Sequence, residues 1–570
     1  MNLFDISIIL IYLSIIFILG IYSRKYIDNF SDFMIAGRNV NLSLSIVTLL
    51  GTELGLITVM YTAQTGVNGL FSSFHIGLAA FLVTLVIGLS GFVIVKLRQL
   101  KVKSIPEFYD LRFGKKTRVL GAIILVTGGI LNMGLFLKVG AIFIQTIFGL
   151  DPDSTLVFVM FILITLVLIY TISGGMISVL ITDYIQYIIL SVGLLLAVFY
   201  SILNLGWTSL FTSLEEIISI SGSSRDIYNP IDSMGAAYIS WQMILGFVSA
   251  VIWPTAITRA LSIKNPEMVR KQYIWSSISF LFRFIIPCFL GICAFIYFDG
   301  NLDSNESLSL MPKYLKEILP FGFLGLVVAG MLAAFMSTHD SYLLCWSTII
   351  TNDIIEPLYG RSITSDIKIK LTRMIIIFLG IYIFYWGMFY EGSDAIWDYL
   401  GITGAIYFTG AMSVVVSGLY WERASSVGAI LSLIGGLSSI IGLEPVRNFF
   451  GINMVNPAVI GLLCLGISFS LMIFGSILFP DKENKFLDHK KKFKKQTNLF
   501  KKFHFLEISL FVLFVLLPIF LGPAKSYLSM YLSWKILWQS VFIFSVIAYI
   551  IVFLRFTFKG FLGLKEILRK

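Results

Sequence analysis

Leu49-Leu50-Gly51-Thr52-Glu53-Leu54-Gly55-Leu56 sets two glycines four residues apart, around an acid, inside an apolar run. Each glycine weakens a helix by about 1 kcal/mol relative to alanine. A turn unwound here frees backbone carbonyls at membrane depth. Such backbone is tolerated only where it faces protein or a cavity. A second break stands at Trp253-Pro254 in another apolar run, because proline removes an N–H and clashes with the preceding turn. The two breaks are five spans apart in the count given below. Spans two to six and seven to eleven then form two five-helix halves, each opening with an interrupted helix. That pattern points to an inverted-repeat carrier with its site near the midplane. A pair of kinks that only aid packing is the alternative reading.

Composition supports a membrane setting. Of 570 residues, 57% are hydrophobic and only 13% are charged. Soluble domains carry about 25% charged residues. The chain reads as a polytopic membrane protein, which makes soluble enzymes, nucleic-acid readers and secreted disulfide scaffolds poor fits. The net charge of +10 is assigned to loops held on the cytoplasmic side, not to a nucleic-acid partner. Cys288, Cys293, Cys345 and Cys464 all lie in apolar runs and form no Cys-x-x-Cys pair. They are expected to pack as small hydrophobes, with no zinc or disulfide framework. The first apolar run, Leu3 to Ile21, lacks a basic flank and a small-residue cleavage site, so it reads as a retained span.

A spanning helix needs about 20 apolar residues, and about 15 segments qualify. They are 3–22, 43–64, 72–97, 118–147, 154–172, 177–203, 236–258, 272–298, 320–354, 369–390, 395–420, 425–443, 456–479, 504–522 and 531–557. Basic residues alternate between successive loops. Arg24, Lys25 and Arg38 fall on one side, with Arg98 to Lys116, then Arg259, Lys264, Arg270 and Lys271, then Arg361, Lys368 and Lys370, then Lys490 to Lys502. That side is cytoplasmic, which places the N-terminus outside, the C-terminus inside and the chain in the plasma (inner) membrane. The run Lys490 to Lys495 reads as a positive-inside anchor or a site for anionic membrane lipid. The longest outer loop, Gly206 to Ser233, has room for a short interfacial helix.

Charges inside apolar spans are costly and usually functional. Glu53, Lys138, Asp183, Arg283 and Asp340 are such charges, with His339 as a titratable neighbour. In the ninth span, Ala334, Ser337, Thr338 and Ser341 share one face at helical spacing. Small side chains let another backbone come close, and hydroxyls with freed carbonyls suit a hard cation. Small-residue packing, with hydroxyls bonded to their own helix, is the competing reading.

Several ordered pieces carry a family resemblance. Asp32-Phe33-x-x-Ala36-Gly37-Arg38 follows the first span, and Ile105-Pro106-Glu107-Phe108 leads to Arg112-Phe113-Gly114. Gly174-Gly175 precedes Thr182-Asp183-x-x-Gln186, and Thr258-Arg259 leads to Lys264. Ala333-Ala334-x-Met336-Ser337-Thr338 leads to Ser347 and Asn352-Asp353. On these residues the chain, over roughly 5–480, resembles the sodium/solute symporter family of proline permeases and sodium/sugar cotransporters. The resemblance implies an all-α, leucine-transporter-like fold. Its inverted repeat of 5+5 helices carries one extra N-terminal helix and about four C-terminal ones. The division is then 1–42, a first repeat at 43–205, an outer loop at 206–235, a second repeat at 236–420, and accessory helices at 421–570. A basic loop lies near 481–503. The resemblance also implies sodium as the coupled ion, held by carbonyls of Gly51, Leu54 and Ala334 and hydroxyls of Ser337 and Thr338. Asp183, Asp340, Ser341 and Glu53 become candidates for a second cation or coupling site. An acid at 340 departs from the hydroxyl some members carry there.

The same resemblance makes Glu53, Thr58, Lys138, Trp253 and Arg283 the candidate solute contacts. Arg283 stands where sugar-carrying members use a lysine, while Trp253-Pro254 looks more like the Gln-Pro of proline permeases. Arg can hold a carboxylate through two parallel hydrogen bonds, and a structural ion pair is the competing reading of Arg283. The expected cargo is a small carboxylate-bearing solute, an amino acid or an organic acid, imported with sodium by alternating access. Phe74, His75, Trp397 and Asp398 are further lining candidates by location alone. Lys138 has three readings: neutralising Glu53 or Asp340, touching an anionic solute, or snorkelling. The rivals are a proton-coupled carrier using Asp340, a sensor that gave up transport, and a membrane enzyme. No His cluster, haem motif or nucleotide loop supports the last.

Overall fold

With no water at membrane depth, a spanning chain must satisfy its backbone internally, and helices do this within one segment. The computed structural model describes residues 1–27, 29–220, 226–300, 306–390, 396–452, 454–481 and 533–568. Among these residues all regular structure is helical, apart from one parallel bridge between Val40 and Ile263.

Helix α1 is Leu3–Tyr22, capped by the Asn2 side chain on the Asp5 N–H. The second span is two helices, α2 (Leu42–Glu53) and α3 (Leu56–Gly69), parted at Leu54 and Gly55. Asn41 caps α2 by accepting from the Leu44 N–H. Next come α4 (His75–Ser90), α5 (Lys115–Phe148) and α6 (Pro152–Leu205). Helix α6 holds the fifth and sixth spans, and the chain turns between them at Gly175 with φ 51° and ψ −158°. That φ suits glycine, and a Cβ there would lie 2.6 Å from the Phe33 ring.

The seventh span is also two helices, α7 (Ala236–Ile252) and α8 (Pro254–Ser262), bent by 40°. Trp253 is extended between them, and Pro254 opens α8, where its missing N–H costs nothing. The second half closes with α9 (Pro266–Tyr297), α10 (Phe323–Ile349), α11 (Ser365–Phe389) and α12 (Ile396–Tyr420). Then come α13 (Ser426–Gly436), α14 (Pro457–Leu478) and α15 (Trp534–Leu568). The connection between α6 and α7 carries a short helix, Trp207–Ile220, that buries Leu210, Phe211 and Leu214.

Each span read from the sequence has a helical counterpart except 504–522, which lies outside the described residues, as does Lys490 to Lys495. Ten described helices are long and apolar enough to cross a membrane, or up to twelve if each bent pair is one span. Part of the difference from about 15 is that α3 runs through a tight turn at Leu70–Phe74 into α4, as one 35-residue stretch.

Helix α6 packs along α10, and α9 packs against both α3 and α4. The α3–α9 crossing is backbone to backbone. A Cβ on Gly66 would lie 2.2 Å from the Cys288 carbonyl oxygen, and one on Gly291 2.1 Å from that of Ala63. Helix α15 lies against α2, α9 and α6. Tyr549 stacks on Phe282 at 3.6 Å, and the Tyr184 hydroxyl donates to the Thr557 carbonyl at 2.8 Å. At its N-terminal end Lys535 pairs with Glu215 of the loop helix at 2.7 Å, and this bond holds the Glu215 carboxyl below its usual range.

Gly291→Val should force α3 and α9 apart and cost about 1–3 kcal/mol, read as a lower melting temperature in detergent. Gly466→Ala, which meets nothing within 4 Å on α14, should leave the melting temperature unchanged or slightly raised.

Candidate functional site

The break in the second span faces α10. Helix α2 ends at Glu53, so its last carbonyls have no partner along their own helix. Two hydroxyls of α10 meet them. Ser337 Oγ lies 2.7 Å from the Gly51 carbonyl oxygen and 3.1 Å from that of Ala334. Thr338 Oγ1 lies 3.1 Å from the Thr52 carbonyl oxygen and 3.0 Å from that of Ala334. The Thr58 hydroxyl donates to the Glu53 carbonyl at 3.1 Å. Gly55 has to be glycine for this approach, because a Cβ would sit 2.1 Å from Thr338 Oγ1. Gly51 is less tight, with a Cβ 3.0 Å from the Asp183 carbonyl oxygen of α6. The result is a knot of neutral oxygens from two helices, the donor set a hard cation takes.

A charged group adjoins the knot. Arg259 donates to Asp183 Oδ2 at 3.1 Å, to Ser341 Oγ at 2.6 Å, and to Thr52 Oγ1. Thr52 Oγ1 is also 3.1 Å from both Asp183 Oδ2 and Ser341 Oγ. Ser341 Oγ lies 3.1 Å from Asp340 Oδ1, while the Tyr170 hydroxyl donates to Asp340 Oδ2 at 3.0 Å. Asp183 and Asp340 are both fully buried. Thr52 joins the two groups, its carbonyl in the knot and its hydroxyl in the charged group.

On the other side of the break lies a cavity of about 170 Å³. Glu53 and Arg283 both line it and pair at 3.0 Å. Thr255 donates to the other Glu53 oxygen at 2.9 Å, and Arg283 also reaches Thr58 at 3.2 Å. Trp253 donates to the Tyr342 hydroxyl at 2.8 Å, and its ring lies 5.1 Å from Phe408. These rings form much of the wall, so the cavity is mostly apolar with one charged corner.

The profile of the family described as "SSF: Sodium:solute symporter family" matches residues 33–436. The chain belongs to this family. It is a multi-pass membrane protein and a secondary transporter, not an enzyme, and its family implies sodium as the coupled ion. It is 24% identical over 484 residues to the sodium/proline symporter of Staphylococcus aureus, covering 79% of this chain and 89% of that one. Among solved structures it is similar to the substrate-bound, outward-open Na⁺-coupled sialic acid symporter, with a TM-score of 0.72. That match is 20% identical and covers 85% of this chain and all of the other. It establishes the leucine-transporter-like fold. MhsT in complex with L-phenylalanine also matches, at 16% identity, over 78% of this chain and 97% of MhsT, with a TM-score of 0.49.

Within this symporter fold the residues singled out from sequence fall into different places. The oxygens of Gly51, Ala334, Ser337 and Thr338 come together as described. Leu54 sits in the break with φ −88° and ψ 61°. Glu53, Thr58, Trp253 and Arg283 line the cavity, and so does Trp397. Lys138 does not. Its ammonium donates to the Tyr390 carbonyl at 2.8 Å, at the end of α11, and it reaches neither Glu53 nor Asp340. Phe74 and His75 lie off the cavity too, since His75 turns back to the Ser72 carbonyl at 2.7 Å. Asp398 instead accepts from the Tyr238 hydroxyl at 3.0 Å. His339 bonds to the Phe335 carbonyl of its own helix at 2.8 Å.

Two residues were missed. Arg259 was counted among loop charges, yet it lies in α8 and is only 3% exposed. Its place directly after the break at Trp253-Pro254 was the available signal. Thr52 was passed over although it stands between the two glycines.

Arg259→Met should strip Asp183 of its cation and destabilise the protein by about 3–5 kcal/mol. Adding Asp183→Asn should recover a large part of that loss in the same melting experiment.

Proposed function

We propose that this chain imports a small carboxylate-bearing solute with sodium, using the oxygen knot as the sodium site and the cavity as the solute site. The observation that carries it is the meeting of the Gly51 and Thr52 carbonyls with the Ser337 and Thr338 hydroxyls. It joins a broken span to a neighbouring helix through oxygens alone. The Leu54 carbonyl, in the same break, completes the ligand set. Bound sodium supplies one positive charge that both helices share. The protein does the rest. The hydroxyls turn their lone pairs inward, α2 and α3 are held against α10, and the Glu53 end of α2 is fixed at the cavity.

Arg283 is the carboxylate-binding residue, with Thr58 beside it and Trp253 shaping the wall. A cavity of about 170 Å³ suits a compact solute, since an apolar hole of about 150 Å³ takes benzene. Proline and sialic acid, named for two relatives, are both carboxylic acids. Asp183, Asp340, Ser341 and Glu53 act as the coupling group. Through Thr52 a change at the knot reaches Arg259, and through α2 it reaches the cavity. The basic loops place the N-terminus outside and the C-terminus in the cytoplasm. Import then runs down the sodium gradient, helped by about 2.3 kcal/mol per charge per 100 mV.

Sodium should raise the melting temperature of the purified protein, while potassium or choline at equal ionic strength should not. At ten times its Kd the gain is about 1.4 kcal/mol. Thr338→Ala should abolish the sodium response. A pH-dependent shift without any sodium effect, removed by Asp340→Asn, would instead select proton coupling. With the sodium response in hand, reconstituted vesicles with an inward sodium gradient should take up the carboxylate solute. Dissipating the gradient should stop uptake.

A further inference from the structure

We propose that the Glu53–Arg283 pair selects for zwitterions, so that the solute is an α-amino acid carrying a free ammonium beside its carboxylate. This rests on the carboxylate reading above and narrows it. The two side chains line one cavity, touch at 3.0 Å, and are 8% and 12% exposed. Each is the other's counter-charge. A solute carboxylate that engages Arg283 draws it from Glu53 and leaves a buried carboxylate uncovered. Removing one partner of a buried ion pair is strongly unfavourable, because the remaining charge stays out of water. A plain organic acid incurs that penalty in full. A zwitterion does not, because its ammonium covers Glu53 as its carboxylate covers Arg283.

The unused hydrogen-bonding groups of the cavity tell the same story. Arg283 Nε and Trp397 Nε1 are buried donors with no partner, and Gln242 Oε1 is a buried acceptor with no partner. All three residues are in the lining. The donors suit a carboxylate and the acceptor suits an ammonium, so the cavity has spare capacity of both signs. Thr255 holds one Glu53 oxygen, which leaves the oxygen now on Arg283 to receive the ammonium.

Spacing narrows the class further. The resident charges are in contact, and α9, which carries Arg283, packs on both α2, which carries Glu53, and α3. A solute with both charges on one carbon converts one ion pair into a closed ring of alternating charges. A chain that separates its charges by several methylenes would need the pair pulled much farther apart. The remaining wall is mostly apolar, with Tyr61, Phe136, Phe284, Tyr342 and Phe408 among its residues, and would receive an apolar body. A trimethylammonium group has no N–H to give Glu53 and should be rejected.

The test uses the full-length protein in saturating sodium. Binding of the α-amino acids is followed by melting temperature and calorimetry. The tightest binder is then compared with its deaminated acid, its carboxamide and its N-trimethyl derivative. All three derivatives should bind at least tenfold more weakly. In Glu53→Gln the deaminated acid should bind several-fold better than it does to the native protein. A gain of affinity cannot come from misfolding. Equal binding of the zwitterion and its deaminated acid to the native protein would overturn the selection and leave the carboxylate reading standing. A sodium response with no α-amino acid or plain carboxylate binding would overturn both.

Discussion

An interrupted helix inside a membrane has to hand its loose carbonyls to someone else. In this protein α10 takes them. The hydroxyls of Ser337 and Thr338 stand where α2 runs out, Gly55 leaves room for the Thr338 side chain, and Gly51 lets α2 lie close to α6 at Asp183. The cavity exists because α2 stops at Glu53 and α3 restarts at Leu56. The buried charges can be placed beside it because the break turns Glu53 to one side and Thr52 to the other.

Those charges are sorted with economy. Arg283 answers Glu53 in the cavity, and Arg259 answers Asp183 beside the knot. The two pairs sit on opposite flanks of residues 52 and 53, so neighbouring residues report to different sites. Asp340 is held differently, by the neutral hydroxyls of Tyr170 and Ser341. The knot therefore touches Arg259 through the Thr52 hydroxyl, while Arg283 is met by the next residue, Glu53.

Much of this could be read from the chain. Glycine and proline mark helix breaks whatever surrounds them, so both interrupted spans were visible. The hydroxyl face of α10 followed from helical spacing, which orients side chains along one helix. What spacing cannot give is the partner on another helix. Lys138 looked like a functional charge because of its depth, but a long side chain finds a carbonyl at a helix end, here that of Tyr390. Arg259 looked like a loop cation because it is flanked by Lys264 and Arg270. Its helix turns it inward, and only the three-dimensional structure reveals Asp183 of α6 as its counter-ion.

Helix α15 lies beyond the residues 33–436 that match the family, yet it leans on α2, the helix whose end supplies the carbonyls of the knot. Its Gly563 meets Asn41, the residue that caps α2, and its Gly560 meets Val47 within α2. The entry to α2 is also stitched to the exit of α8, where the Val40 N–H donates to the Ser262 carbonyl at 3.2 Å and the Lys264 N–H returns to the Val40 carbonyl at 3.1 Å. Any displacement of α2 must therefore either shear it along α15 or drag that helix with it. The oxygen knot of this chain is thus buttressed from behind by a helix that residues 33–436 do not contain.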